Sequence, residues 1–355
     1  MEAIPPVLAR NVVAAWGADG RRFLDELPAL LASVTRDWGL TVVAPLPGTY
    51  HWVGRVRRAD GSEAVLKLGP PSAVEVGHEA AALRHYDGGG AVRLLAADPA
   101  RGALLLELAS PGASARSLVP GKDLIATAAI ITVIRRLHRP LPASSPSSSP
   151  PPSSGVPLSS SGAPPTSPGG PPSASDVPLS SSAGPAARPP SPTSLSSLPD
   201  LGARNRRTFV AHLERHPGDS PLPRRLVTRA LGLSDELCAS AASRVVLHGD
   251  LHHDNVLRAS RDPWLAIDPH GVVGDPGAEV GPMLYNPDPA NRDPSLVALV
   301  PARCEQLADG LGMDVDRVVA WGFVTAVLSG VWTAEDPSAP TTRALDVALL
   351  LEQRI

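Results

Sequence analysis

The chain has 355 residues, with 32 Lys and Arg against 35 Asp and Glu and a formal charge of −3. A nucleic-acid binder would show a basic face and a high pI, so that class is excluded. Two cysteines, Cys238 and Cys304, build neither a disulfide framework nor a cysteine metal site, and the Met1-Glu2 start lacks a signal-peptide pattern, which sets a reduced, cytoplasmic expectation.

Residues 1–40 read as helical, with Phe23, Leu24, Leu27, Leu30 and Leu31 at helix spacing and Gly39 as a stop. A β pattern follows. Thr41-Val42-Val43 leads through Pro47-Gly48-Thr49 to a second run over 52–57, and an Asp60-Gly61 turn joins this to a third over 64–68. Pro70-Pro71 ends the hairpin, and Ser72-Ala73-Val74-Glu75 predicts a capping box opening a helix through about His85. Two further β runs, 91–96 and 103–108, are joined by a turn at Asp98-Pro99, and residues 123–138 form an apolar helix. Segment 142–199 holds 17 of the 41 prolines and 20 serines, with only Asp176 and Arg188 charged. Such a stretch cannot bury a core, so it is predicted to be a disordered insertion whose deletion over 144–197 leaves folding and kinetics nearly unchanged. The other 297 residues have ordinary globular composition, which excludes a wholly disordered chain. Helical pattern runs from Asp200 to about Ala242, a strand, polar loop and second strand occupy 244–268, and helices resume near Asp293. The uncharged run 318–334 imitates a membrane span but sits at the short limit for one, and is read as a buried core helix.

The chemistry concentrates in Val245-Val246-Leu247-His248-Gly249-Asp250-Leu251-His252-His253-Asp254-Asn255-Val256-Leu257, followed by Trp264-Leu265-Ala266-Ile267-Asp268. An apolar strand delivers a dense polar loop, and a second strand ends on a carboxylate. One carboxylate of this set can orient or deprotonate a hydroxyl. An amide oxygen and a second carboxylate suit a hard Mg²⁺ ion that keeps phosphate oxygens as its other ligands. The five-residue interval from Asp250 to Asn255 matches the catalytic loop of protein kinases. A competing reading gathers His248, His252 and His253 with Asp250 and Asp254 around Zn²⁺ or a two-metal hydrolase centre. Alternate residues of a short loop point opposite ways, and no distant His or Asp pattern completes that shell.

The loop and the Ile267-Asp268-Pro269 segment resemble the aminoglycoside phosphotransferase family, in its streptomycin 6-kinase and hydroxyurea phosphotransferase branch. The similarity extends over 64–68, 79–95, 101–108, 137–140, 213–219 and 326–335, nearly the whole chain outside the insertion. The resemblance implies an α+β, bilobal protein-kinase-like fold. Residues 1–108 would be a nucleotide-binding lobe with a five-stranded antiparallel sheet and a helix. Residues 109–355 would be a larger, mostly helical catalytic and substrate lobe, interrupted at 142–199. It implies Asp250 as catalytic base, Asn255 and Asp268 as Mg²⁺ ligands, and Lys67 on the ATP α- and β-phosphates. Glu79 would hold Lys67, since Glu75 is engaged by the cap, and Leu106, Glu107 and Leu108 would present hinge backbone to adenine. The activity implied is transfer of the ATP γ-phosphoryl group to an aminoglycoside, streptomycin at its 6-hydroxyl, by a monomer with no nucleic-acid or membrane partner. Hydroxyurea or another small alcohol is the alternative acceptor, and a catalytically silent kinase fold serving as a binding module is the non-enzymatic one. A cationic aminoglycoside needs carboxylates in its pocket, for which Glu335 and Asp336 are the candidates, although Glu-Asp-Pro also suits a plain helix end. The nucleotide-covering loop has one glycine, Gly48, and position 270 is His where this branch is expected to have Lys. Asp275 is read as a turn former or a brace for the loop.

Overall fold

The computed structural model describes residues 4–139, 195–335 and 340–355. Its first helix, α1 (Pro6–Asp37), is two helical pieces that meet at Gly17, whose φ of 55° and ψ of −118° are non-helical. Gly39, at φ 62°, turns the chain into the sheet, as expected of a stop glycine. Strands β1 (Thr41–Leu46), β2 (Trp52–Arg57), β3 (Glu63–Leu68), β4 (Leu94–Asp98) and β5 (Ala103–Glu107) form an antiparallel sheet in the order β1-β2-β3-β5-β4. Side chains alternate across a strand, and in β3 that alternation separates two environments. Ala64, Leu66 and Leu68 are buried with Phe23, Leu27 and Val34 of α1. Val65 and Lys67 face the other way, the side on which Leu104 and Leu106 of β5 join the core around α2 (Val74–Tyr86).

The predicted capping box at α2 does not form. The N-cap is Ala73, with no side-chain hydrogen bond, and Glu75 is exposed. The turn at Asp98-Pro99 is a short 3-10 helix, Pro99–Arg101, in which the Arg101 N–H donates to the Asp98 carboxylate.

After the five-stranded sheet come β6 (Pro111–Ser114) and α3 (Asp123–Leu137). The predicted helix over 200–242 is two helices, α4 (Leu201–Arg215) and α5 (Arg224–Ala239). Pro217, Pro221 and Pro223 lie between them and cannot donate to a helix ladder. The strands are short: β7 (Val245–Leu247), β8 (Val256–Ala259), β9 (Trp264–Ala266) and β10 (Val272–Gly274). β7 pairs with β10, while β8 pairs with β9 and β6, so the polar loop joins two different sheets instead of closing a hairpin. Helices α6 (Gly281–Tyr285), α7 (Pro294–Val297), α8 (Val300–Leu311), α9 (Val315–Thr333) and α10 (Arg343–Glu352) complete the fold. The uncharged run lies in α9, and Val319, Trp321, Phe323, Val324 and Val327 are buried in the core. Among the described residues this is the one helix apolar and long enough to cross a membrane, and it is the centre of a helical lobe.

Most of the predicted insertion, 142–194, lies outside the described residues. Residues 195–199 belong to the fold. Leu195–Ser197 form a 3-10 turn, Leu198 is buried, and the Pro199 carbonyl accepts the Val273 N–H at 2.9 Å. Leu195, within the span 144–197, packs partly buried against the main core, and Leu198 just beyond that span lies near Gly271 and Ala82.

Candidate active site

Lys67 leaves β3 on the α2 face, where α2 presents Glu79 in its second turn. The Lys67 ammonium is 2.6 Å from Glu79 Oε2 and hydrogen-bonds Asp268 Oδ1. Lys67 and Glu79 are buried, whereas the Asp268 side chain is 53% exposed, so the ion-pair chain runs from the interior to an open face. Burial disfavours the Lys67 charge, but Asp268 and then Glu79 outweigh it and hold the ammonium above its ordinary pKa. Lys67 in turn keeps Asp268 well below the usual carboxylate range, while burial pushes Glu79 upward. Asp268 has φ 61°, a left-handed conformation that is costly for a residue with a Cβ. The surrounding ladder enforces it. The Ile267 N–H donates to the Asn255 carbonyl at 2.9 Å, and the His270 N–H donates to the His248 carbonyl at 2.8 Å.

The loop between β7 and β8 is braced from beneath by a residue outside the motif. Glu279 is 1% exposed. Its Oε2 accepts the His248 N–H at 2.7 Å and lies 3.2 Å from His138 Nε2, and its Oε1 accepts the Gly249 N–H at 2.9 Å. His248 Nε2 is 2.8 Å from the Ile267 carbonyl, which only a donor satisfies, so Nδ1 accepts the Asp250 N–H at 3.3 Å. Burial lowers the His248 pKa and keeps this neutral tautomer. The Asn255 amide nitrogen donates to the Asp250 carbonyl at 3.0 Å, which reserves its oxygen as the free end. Asp250 has a half-open side chain, 35% exposed, with His252 Nε2 at 3.5 Å and His270 Nε2 at 3.9 Å from its Oδ2. Burial alone would raise the Asp250 pKa, but His252 and His270 lower it and keep the carboxylate ionised. His252 is desolvated, yet its contacts with Asp250 and Asp254 raise it to about 9.

Asp268 and Asn255 thus offer hard oxygen donors beside an open face, a pair suited to a divalent cation whose other ligands are phosphate and water. Among the described residues no group of three or more His, Cys, Asp and Glu converges on one point. The three histidines are directed elsewhere: His248 to the Ile267 carbonyl, His252 to two carboxylates, and His253 into the core with no solvent exposure.

The predicted hinge is partly engaged in the sheet. Leu106 pairs with Val65 and Leu94, the Glu107 N–H donates to the Arg93 carbonyl at 2.9 Å, and the Glu107 carboxylate holds Arg261 at 2.9 and 3.0 Å. Leu108, one residue past β5, is the member of the three outside the ladder. Glu335 is half-exposed and lies 3.1 Å from Arg215, so its charge is already matched, and Asp336 lies outside the described residues. Asp275 is a structural hub, 4% exposed, accepting the Gly277 N–H at 2.8 Å and the Trp321 indole N–H at 3.1 Å, with Arg317 on the same carboxylate.

Sequence reasoning missed Glu279. The signal was an isolated carboxylate in the otherwise uncharged run 276–286, a charge that a buried segment carries only with partners.

A model of the aminoglycoside/hydroxyurea antibiotic resistance kinase family matches residues 40–153 and 186–337. The chain belongs to that family. The hydroxyurea phosphotransferase of Kitasatospora aureofaciens is 33% identical over 334 residues, covering 94% of this chain and 81% of that protein. The streptomycin 6-kinase of Streptomyces glaucescens is 31% identical over 349 residues, covering 97% and 94%. Among solved structures, a choline/ethanolamine kinase family protein from Mesorhizobium loti superposes with a TM-score of 0.52 at 16% identity, covering 93% of this chain and 92% of that one. Aminoglycoside phosphotransferase APH(4)-Ia, solved with ADP and hygromycin B, gives 0.53 at 13% identity, covering 91% and 95%. These two likenesses establish the kinase-like fold. With its antiparallel-sheet lobe and helical lobe, this member of the kinase family has the α+β bilobal architecture expected from its sequence.

Proposed function

We propose that the chain is a phosphotransferase that moves the γ-phosphoryl group of ATP to a hydroxyl of a small molecule. In this reading residues 1–108 bind the nucleotide and residues 109–355 carry the catalytic loop and the acceptor. Lys67, held by Glu79, meets the α- and β-phosphates, and the strand end at Leu106, Glu107 and Leu108 lies against adenine. Asn255 and Asp268 hold Mg²⁺, which when bound neutralises the charge of the phosphates. Asp250 orients the acceptor hydroxyl and receives its proton as the new O–P bond forms. The bond between the γ-phosphorus and the bridging oxygen breaks, and its electron pair leaves on ADP. An ionised Asp250 of low basicity suits a reaction in which positioning and charge neutralisation do most of the work. The single observation that carries the reading is the Glu79–Lys67–Asp268 ion-pair chain beside Asp250 and Asn255.

The acceptor proposed first is an aminoglycoside, streptomycin at its 6-hydroxyl, supported by the similarity to streptomycin 6-kinases. Hydroxyurea is the second acceptor, and one observation favours it: Glu335, the carboxylate expected to meet an aminoglycoside cation, is paired with Arg215. The test is mass spectrometry of each compound after incubation with the protein and Mg-ATP. A phosphorylated product identifies the acceptor, and ADP formation with neither compound removes both. An Asp250→Asn variant as fast as wild type would sink the mechanism.

A further inference from the structure

Lys67 has a neighbour on its face of the sheet that the kinase loop motif does not contain. β2 and β3 pair with Val53 opposite Lys67 and Trp52 opposite Leu68. Residues directly opposite in an antiparallel pair share a face, and successive residues alternate. Continuing that register carries residue 51 to the Val53 and Lys67 face, opposite position 69. Position 69 is glycine, and a Cβ there would lie 2.4 Å from His51 Cδ2 and 2.9 Å from His51 Nε2. The imidazole therefore rests on the Gly69 backbone, two residues beyond Lys67.

The loop carrying His51 is held in place from both sides. Gly48 lets the chain fold back, because a Cβ there would meet the His51 carbonyl oxygen at 2.1 Å. From α1, the Asn11 amide donates to the Thr49 carbonyl at 3.2 Å, and the Trp16 ring lies edge-on to Tyr50 and His51, at 6.3 and 6.0 Å between centroids. Positioned this way, His51 Nε2 is buried and makes no hydrogen bond within the protein. Burial and the Lys67 charge lower its pKa to about 3, so the ring is neutral, one of its nitrogens carrying a proton and the other a lone pair. A buried polar nitrogen without a partner, beside a lysine and an aspartate on the open face, is a site for a group that the chain itself lacks.

We propose that His51 is a nucleotide-phosphate ligand, its ring N–H donating to a phosphate oxygen of bound ATP or ADP beside Lys67. This rests on the kinase reading above. Glycine-rich loops in kinases cover the phosphates; this loop has a single glycine, Gly48, and supplies a side-chain donor seated on Gly69.

The experiment is calorimetric titration of ADP into wild type, His51→Leu and His51→Gln, with and without Mg²⁺, alongside steady-state kinetics. His51→Leu fills the seat without a donor and is expected to weaken ADP binding and raise the KM for ATP by roughly tenfold or more, the usual weight of a hydrogen bond to a charged group. The KM for the acceptor is expected to stay unchanged. His51→Gln restores an N–H and is expected to recover most of the loss. Gly69→Ala, which keeps His51 but takes its seat, is expected to weaken ADP binding as well. Wild-type protein that binds no ADP and forms none would sink the kinase reading and this inference with it. Wild-type protein that binds ADP no more tightly than His51→Leu overturns the His51 assignment alone, as does a Gln variant no better than Leu.

Discussion

Replacing Glu279 with Gln isolates the brace beneath the β7–β8 loop, the proposed catalytic loop. The carboxylate accepts the backbone N–H groups of His248 and Gly249, one on each oxygen, at 2.7 and 2.9 Å. An amide has one oxygen, so whichever way the glutamine side chain is turned, one of these buried N–H groups faces an NH₂ and goes unpaired. An unsatisfied buried donor costs about 1–3 kcal/mol, and loss of charge assistance on the remaining bond adds about 1 kcal/mol. The expected loss is therefore about 2–4 kcal/mol, read as a lower urea midpoint at unchanged slope. The loop also shifts, and because Asp250 directly follows Gly249, misplacement by about 1 Å lowers kcat on the order of 100-fold. The effect has a pH signature. Burial would raise the Glu279 pKa, but His138, then His248 and the Gly249 N–H, lower it below its ordinary 4.5. A depressed folded-state pKa gives stability that is present above the unfolded value and lost as pH falls through the folded one. The part of the gap that the Glu279 carboxylate carries is thus present above about pH 4.5 and is lost as pH falls below it. A variant within about 0.5 kcal/mol of wild type at pH 7, with wild-type kcat, would refute the brace.

Other perturbations test separate parts. Asp250→Asn is expected to retain ADP binding while ADP release in the presence of acceptor falls by about 10²–10⁴-fold, the usual range for a general base. Lys67→Met leaves Glu79 buried without its cation, a loss of about 3–5 kcal/mol in denaturant unfolding, and removes nucleotide affinity in the same calorimeter. Asp275→Ala strips acceptors from the Gly277 N–H and the Trp321 indole. It is expected to cost about 2–4 kcal/mol and to leave the KM values unchanged below its melting transition. Chelation with EDTA is expected to abolish turnover and excess Mg²⁺ to restore it; turnover that persists in EDTA would refute the assignment of Asn255 and Asp268.

The proposed catalytic cluster is readable along the chain because its members are close in sequence. Asp250, Asn255 and Asp268 sit in one loop and the next strand end, so local geometry brings them near whatever the remote packing. Lys67 is picked out by the family resemblance, and alternation adds only its side: Ala64, Leu66 and Leu68 are apolar and go to one core, which puts Lys67 on the opposite face. Glu79 is the carboxylate that meets Lys67, but the reason differs from the one expected. The cap that would occupy Glu75 is absent, and it is burial that separates the two residues, Glu79 inside and Glu75 exposed.

Period and spacing therefore determined most of the element types and the polar loop, since these depend on a side chain's neighbours within a few residues, while the two-lobe fold was implied by the family resemblance. Pairing was decided elsewhere. That β7 joins β10 and not β8, that Glu279 lies under a loop some thirty residues earlier, and that His51 finds its seat on Gly69 depend on which surfaces meet when the core closes. Glu335 makes the same point for charge. A carboxylate at a helix end reads as free to meet a cation until folding brings Arg215, 120 residues before it, to 3.1 Å. Hydrogen bonds and ion pairs act over a few ångströms, so their partners are chosen by tertiary packing and leave almost no trace in local sequence.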